Sequence, residues 1–149
     1  MHRWIARSLI VLITLCLLAI PRHVAARTTH SSQDTIQMSV ELGSPENSFH
    51  FYPDTMQFKV GKQYKLTLSN PSPVKHYFTA KDFADVVWTR KVDVAGVEVK
   101  GKVSELELKP DAEADWVFVP QRAGEYSLKC IVPGHEMAGM VGKLIVEDA

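Results

Sequence analysis

At 149 residues the chain is long enough for one domain with its own hydrophobic core. Its 17 basic side chains balance 17 acidic ones. With no basic surplus, neither nucleic acid nor an anionic membrane surface is expected as a partner.

The N-terminus carries Arg3 and Arg7, then an apolar run from Leu9 to Ile20 that Pro21 breaks. Val24-Ala25-Ala26 follows, the small-residue pattern at which leader peptides are cut. Residues 1–26 are therefore predicted to be a secretory signal peptide removed after Ala26. The alternative is an uncleaved anchor, but the apolar run is well short of the roughly 20 residues a membrane-spanning helix needs. The mature chain is expected to be exported, periplasmic or otherwise extracytoplasmic, with no stable membrane insertion. Cys16 would leave with the leader; Leu15 before it is too bulky for a lipoprotein site. Losing Arg3, Arg7 and Arg22 leaves 14 basic against 17 acidic side chains, a mildly acidic mature protein.

Residues 27–34 are polar and aperiodic and read as a flexible tail. From Thr35 the chain alternates with period two: Ile36, Met38, Val40 and Leu42 share one side of a half-buried strand. Gly43 to Asn47 is a turn cluster. Phe49 to Tyr52 and Met56 to Val60 are short strand candidates either side of Pro53-Asp54. Tyr64 to Leu68 alternates again, until Asn70-Pro71-Ser72-Pro73 ends regular structure ahead of His76-Tyr77-Phe78-Thr79. Residues 80–103 are the least decided: a strand over Val86 to Val94, a short helix or loop near Lys81 to Asp85, and turns at Gly96 and Gly101. Ser104 to Leu108, Ala114 to Val119, Glu125 to Cys130 and Val141 to Glu147 complete the strands. Seven or eight short strands with frequent turn signals predict an all-β Greek-key sandwich, one domain over residues 35–149.

The chemistry concentrates near the C-terminus. Tyr126, Leu128 and Cys130 share an apolar face, which points Cys130 inward. Cys130 would be the one cysteine of the mature chain, so no internal disulfide is available to it, and a metal bond accounts for an unpaired thiol in an exported protein. The spacing Cys130-x4-His135-x4-Met140 then runs into the closing strand, with His76 as a fourth donor from upstream. One thiolate, two imidazoles and a weak thioether suit a blue-copper centre. Zinc is the competing metal, but a thioether is a poor zinc ligand, and Glu136, beside His135, is expected to point away. Met137 is the rival axial donor to Met140. His30 and His50 lack partners at ligand spacing and are read as solvated. A Cys/His nucleophile would need an exposed thiolate and an orienting third group, and no catalytic glycine or HExxH motif is present.

The run Y-S-L-K-C-I-V-P-G-H-E-M-A-G-M-V-G-K-L-I-V resembles the C-terminal copper loop of the cupredoxin family. Its H-x4-M spacing and A-G-M-V-G-K run are similar to plastocyanin; its longer cysteine-to-histidine spacing is closer to azurin and auracyanin. Upstream, S-N-P-S-P-V-K-H-Y-F resembles the family's approach to its first histidine. The resemblance implies His76 and His135 as imidazole ligands, Cys130 as thiolate and Met140 as axial ligand of one type-1 copper. Many members have Asn directly after the first histidine, where it helps order the site; this chain has Tyr77, which puts that contribution in question. It further implies an exported, non-enzymatic carrier of single electrons that cycles between Cu(I) and Cu(II). Transient redox proteins would dock near His135, against Pro133, Gly134, Met137 and Ala138, and the protein would be a monomer. A copper carrier or storage protein using the same ligands is the alternative. Intact-mass analysis of the exported protein should place its N-terminus at Arg27; a full-length mass in the membrane fraction would instead establish an anchor.

Overall fold

The structure is a computed structural model that describes residues 34–149. The signal peptide expected at residues 1–26, almost all of the tail at 27–34, and His30 lie outside the described residues. Two sheets form by burying the alternating apolar positions face to face. Strands β1 (Ile36–Leu42), β2 (Phe51–Tyr52), β4 (Tyr64–Ser69), β6 (Val87–Val94), β7 (Val97–Val99) and β9 (Glu113–Pro120) make one sheet, in the order β2-β1-β4-β9-β6-β7. The second contains β3 (Thr55–Lys59), β5 (His76–Thr79), β8 (Glu105–Leu108), β10 (Gly124–Lys129) and β11 (Val141–Glu147), in the order β3-β11-β10-β5-β8. β1 runs parallel to β4 and β3 parallel to β11; the other pairs are antiparallel. The chain crosses repeatedly between the sheets, which is the sandwich expected from the strand pattern.

Eleven strands are present among the described residues, more than the seven or eight expected. The surplus is largely in short pieces. β2 has two residues and β7 three, too few to print a period of two, and β7 is exposed throughout. The undecided stretch 80–103 resolves into a one-turn helix α1 (Lys81–Ala84), then the β6–β7 hairpin around Ala95-Gly96. Of the described residues, no helix is long and apolar enough to cross a membrane.

The inward positions are those that alternation selects: Tyr64, Leu66 and Leu68 on β4, Ala114, Trp116 and Phe118 on β9, Met56 and Phe58 on β3, Leu144 and Val146 on β11. Aromatic rings fill the middle. Trp116 lies 4.7 Å from Phe118 and 5.9 Å from Phe83, centroid to centroid, and Phe58 lies 5.4 Å from Phe118. Phe83, carried on α1, is fully buried, so this single helical turn acts as a plug in the core. The Trp116 indole N–H donates to Thr89 Oγ1 at 3.1 Å, which satisfies its polar edge. Apolar side chains packed on one another make up most of this core. Trp116→Ala should destabilise the metal-free protein by about 3–5 kcal/mol, read from the urea unfolding free energy.

A candidate metal centre at one end of the sandwich

Three separate segments meet at one end of the sandwich. The first is the turn before β5. Asn70 is fully buried, and its amide nitrogen donates to Val74 O at 2.9 Å and Leu108 O at 2.8 Å. Its Oδ1 accepts from the Ser72 N–H at 2.9 Å. A fully satisfied buried amide fixes the Pro71–Pro73 turn to β8 and so sets the entry of His76 into the sheet. His76 is the first residue of β5 and is completely buried.

The second segment is the end of β10. Lys129 pairs with Thr79 of β5 on one side and Val141 of β11 on the other. The next residue, Cys130, is wholly buried, as the inward face of Tyr126 and Leu128 requires. The third is the loop that joins β10 to β11. It folds back on itself: the Cys130 N–H donates to Met140 O at 3.1 Å, and the Met140 N–H donates to His135 O at 2.9 Å. Gly139 sits at φ +103°, where a β-carbon is strained, so glycine permits this return.

The result is a triangle of donors. His76 Nδ1 and His135 Nδ1 are 3.2 Å apart, and Cys130 Sγ lies 3.9 Å from the first and 3.6 Å from the second. The point equidistant from these atoms is about 2.1 Å from each, the length range of metal–imidazole and metal–thiolate bonds. One ion fits there without rearrangement. The Tyr77 N–H donates to Cys130 Sγ at 3.3 Å, so the residue that replaces the common Asn still supports the sulfur through its backbone. Its side chain turns outward, and the hydroxyl donates to Glu107.

Burial leaves both rings neutral. It lowers the His76 pKa to about 4, with the nearby His135 adding to the shift, and it lowers that of His135 as well. Neutral imidazoles at pH 7 present lone pairs to a metal without first losing a proton.

The remaining candidates separate by position. Met140 is fully buried beside Cys130 in the core cluster, while Met137 is 90% exposed. Of the two methionines, Met140 is the one enclosed with Cys130. Glu136 faces outward in an ion pair with Lys129 at 3.1 Å and takes no part. His50 is exposed and outside the cluster, as expected. Sequence reasoning missed Phe49. Its half-buried ring lies 4.3 Å from that of His135 at a 37° tilt and 6.4 Å edge-on from that of His76. It comes from the turn between β1 and β2, at the head of the Phe49-His50-Phe51-Tyr52 run that read only as a short strand.

A β-sandwich that closes two neutral imidazoles and a thiol around one buried point is a metal-binding domain of the copper type, since this donor set is soft and leaves room for a weak axial sulfur. Residues 38–147 match the family model for copper binding proteins of the plastocyanin/azurin family, and the chain belongs to that family. Copper is accordingly its metal. The copper-resistant cuproprotein CopI of Rubrivivax gelatinosus is 26% identical over 110 residues, 67% of this chain and 61% of that protein. The chain thus spans about three-fifths of the length of this relative. Auracyanin A, a blue copper protein from Chloroflexus aurantiacus, superimposes with a TM-score of 0.52 at 19% identity, over 76% of this chain and 99% of that one. A multicopper oxidase from Campylobacter jejuni gives 0.56 at 13% identity, over 80% of this chain but only 31% of its own. At these identities the structural matches establish the shared fold.

The histidine shifts have a testable sign. A histidine whose folded pKa is depressed binds fewer protons folded than unfolded, so its contribution is complete above about 6.5 and is lost as the pH falls. The metal-free protein should lose stability between pH 6.5 and about 4, measured by urea midpoints. His76→Gln should flatten this slope.

Proposed function

We propose that the protein is a carrier of single electrons, built around one type-1 copper held by His76, Cys130, His135 and Met140. The observation that carries this reading is convergence: three strong donors from separate segments, His76, Cys130 and His135, lie within 4.8 Å of one another around one point. Copper, when bound, supplies a one-electron couple whose two states prefer different geometries. Donors pinned by β5, β10 and a self-bonded loop resist that change, which keeps reorganisation on electron transfer small. Four protein donors also leave no place for a substrate, which argues for a carrier and against an enzyme.

His135 offers the route in and out. It is half-buried, whereas His76 and Cys130 are wholly enclosed. Ile131 and Met137 on the same loop are exposed, and so are Val141 at the start of β11 and Val74 on the turn before His76. Such a small apolar collar favours a brief encounter with a redox protein, for which tight binding would slow turnover. The carrier would act as a monomer outside the cytoplasm, after loss of its leader.

The name of the Rubrivivax relative favours a second reading, copper handling through the same ligands. Colour and reversibility separate the two. An electron carrier loaded with Cu(II) should show an intense thiolate charge-transfer band, and it should be reduced and reoxidised repeatedly without metal loss. A handling protein should hold Cu(I), stay colourless and give it up to a competing thiol.

One redox titration in a single buffer tests the ligand assignment. Cys130→Ser should abolish the band and tight copper binding while the fold persists. Met140→Gln should keep copper, alter the spectrum and lower the potential, because a thioether favours Cu(I). Met137→Gln should change neither. A drop in potential confined to Met137→Gln would reassign the axial ligand.

A further inference from the structure

Outside the four donors, one loop touches both imidazoles. Residues Gly43 to His50 join β1 to β2, and the loop closes at its base where the Gly43 N–H donates to His50 O at 2.9 Å. Asn47 Oδ1 lies 3.3 Å from Ser72 Oγ, and Ser72 in turn is held by Asn70. The loop is thereby anchored to the turn that delivers His76.

At its first residue the loop presses on the His76 ring. A β-carbon on Gly43 would lie 2.6 Å from His76 Nε2 and 2.9 Å from Ser72 Cβ, both far inside contact distance. Gly43 also sits at φ +82°, where a side chain is strained in any case. Glycine here lets the backbone come up against the back edge of the imidazole. His76 Nε2 is buried with no hydrogen-bond partner, so no polar contact fixes that edge of the ring, and packing must do it instead. Near its other end the loop lays Phe49 over His135 with ring centroids 4.3 Å apart. The polar contacts of the His135 ring are made by its Nδ1, to His76 and Cys130, the other two corners of the site.

We infer that the Gly43–His50 loop is a two-point clamp on the metal centre, in which Gly43 and Phe49 are positioning residues for His76 and His135. Steric stops replace the hydrogen bonds that usually orient ligating imidazoles. The ring of Phe49 also covers one face of the more accessible ligand, so it slows ligand rotation and departure of the metal. This inference rests on the copper-centre reading above, and its test is arranged to separate the two.

The variants are Phe49→Leu, Phe49→Tyr and Gly43→Ala in the full-length mature protein. In the metal-free state, NMR of the histidine ring protons should show the His135 signals shifted in Phe49→Leu and restored in Phe49→Tyr. Gly43→Ala should shift the His76 signals, with amide spectra away from the loop unchanged in both. In the Cu(II)-loaded state, Phe49→Leu should alter the charge-transfer band and the EPR hyperfine splitting and release copper to a chelator about three- to tenfold faster. Phe49→Tyr should release it at the native rate. Should Gly43→Ala fail to fold, the Phe49 pair decides alone. Native ring-proton shifts in Phe49→Leu would overturn the clamp whether or not copper binds, as would a native spectrum and release rate. If the unmodified protein forms no coloured centre, the copper-centre reading falls, while the metal-free NMR still judges the clamp.

Discussion

The metal end of this protein hangs on one short antiparallel seam. β5 meets β10 at a single pair, Thr79 against Lys129, and the residues on either side of that seam are His76–Tyr77 and Cys130. The sulfur accepts the Tyr77 amide because the two strands end there side by side. Shift the seam by one residue and the thiol would turn to the opposite face, away from both imidazoles. The register is protected from that slip by burial: Leu128 and Cys130 on one strand and His76 and Phe78 on the other all lose their enclosure together. Packing energy in the sheet therefore sets ligand geometry.

The same enclosure decides the chemistry. Burial lowers the basicity of both rings, which is costly for a charged imidazolium and harmless for a neutral ligand. The sulfur accepts one backbone amide and otherwise faces the two imidazole nitrogens, so its remaining electron density points to the metal position. These features favour a metal bond over proton uptake near neutral pH. The fold thus accepts a penalty in acid to hold the site ready near neutrality.

How much of this could be read from the residues depends on sequence separation. Cys130, His135 and Met140 lie on one loop bounded by strong strands, so their spacing carried the site by itself. His76 was reachable because Asn70-Pro71 announces a turn before it, although the amide network that makes Asn70 an organiser needs Leu108, far along the chain, to be seen. β4 and β9 showed in their alternation. β2 and β7 did not, because a strand of two or three residues is defined by its neighbour rather than by its own pattern. Phe49 and Gly43 were illegible for the same reason. Nothing near them in sequence signals a metal, and only the placement of the β1–β2 turn brings them against residues about 27 to 86 positions away.

The parallel pairing of β3 with β11 has a consequence in time. Thr55 waits for Lys143, about ninety residues later, before its strand has a partner. As a polypeptide grows from its N-terminus, its five-stranded sheet stays open until the closing strand is made. Cys130, His135 and Met140 arrive just ahead of that strand, so no shorter nascent chain presents a finished cage. A chain that stops short of β11 lacks the strand that anchors the far end of the donor loop, so its donors have no fixed frame.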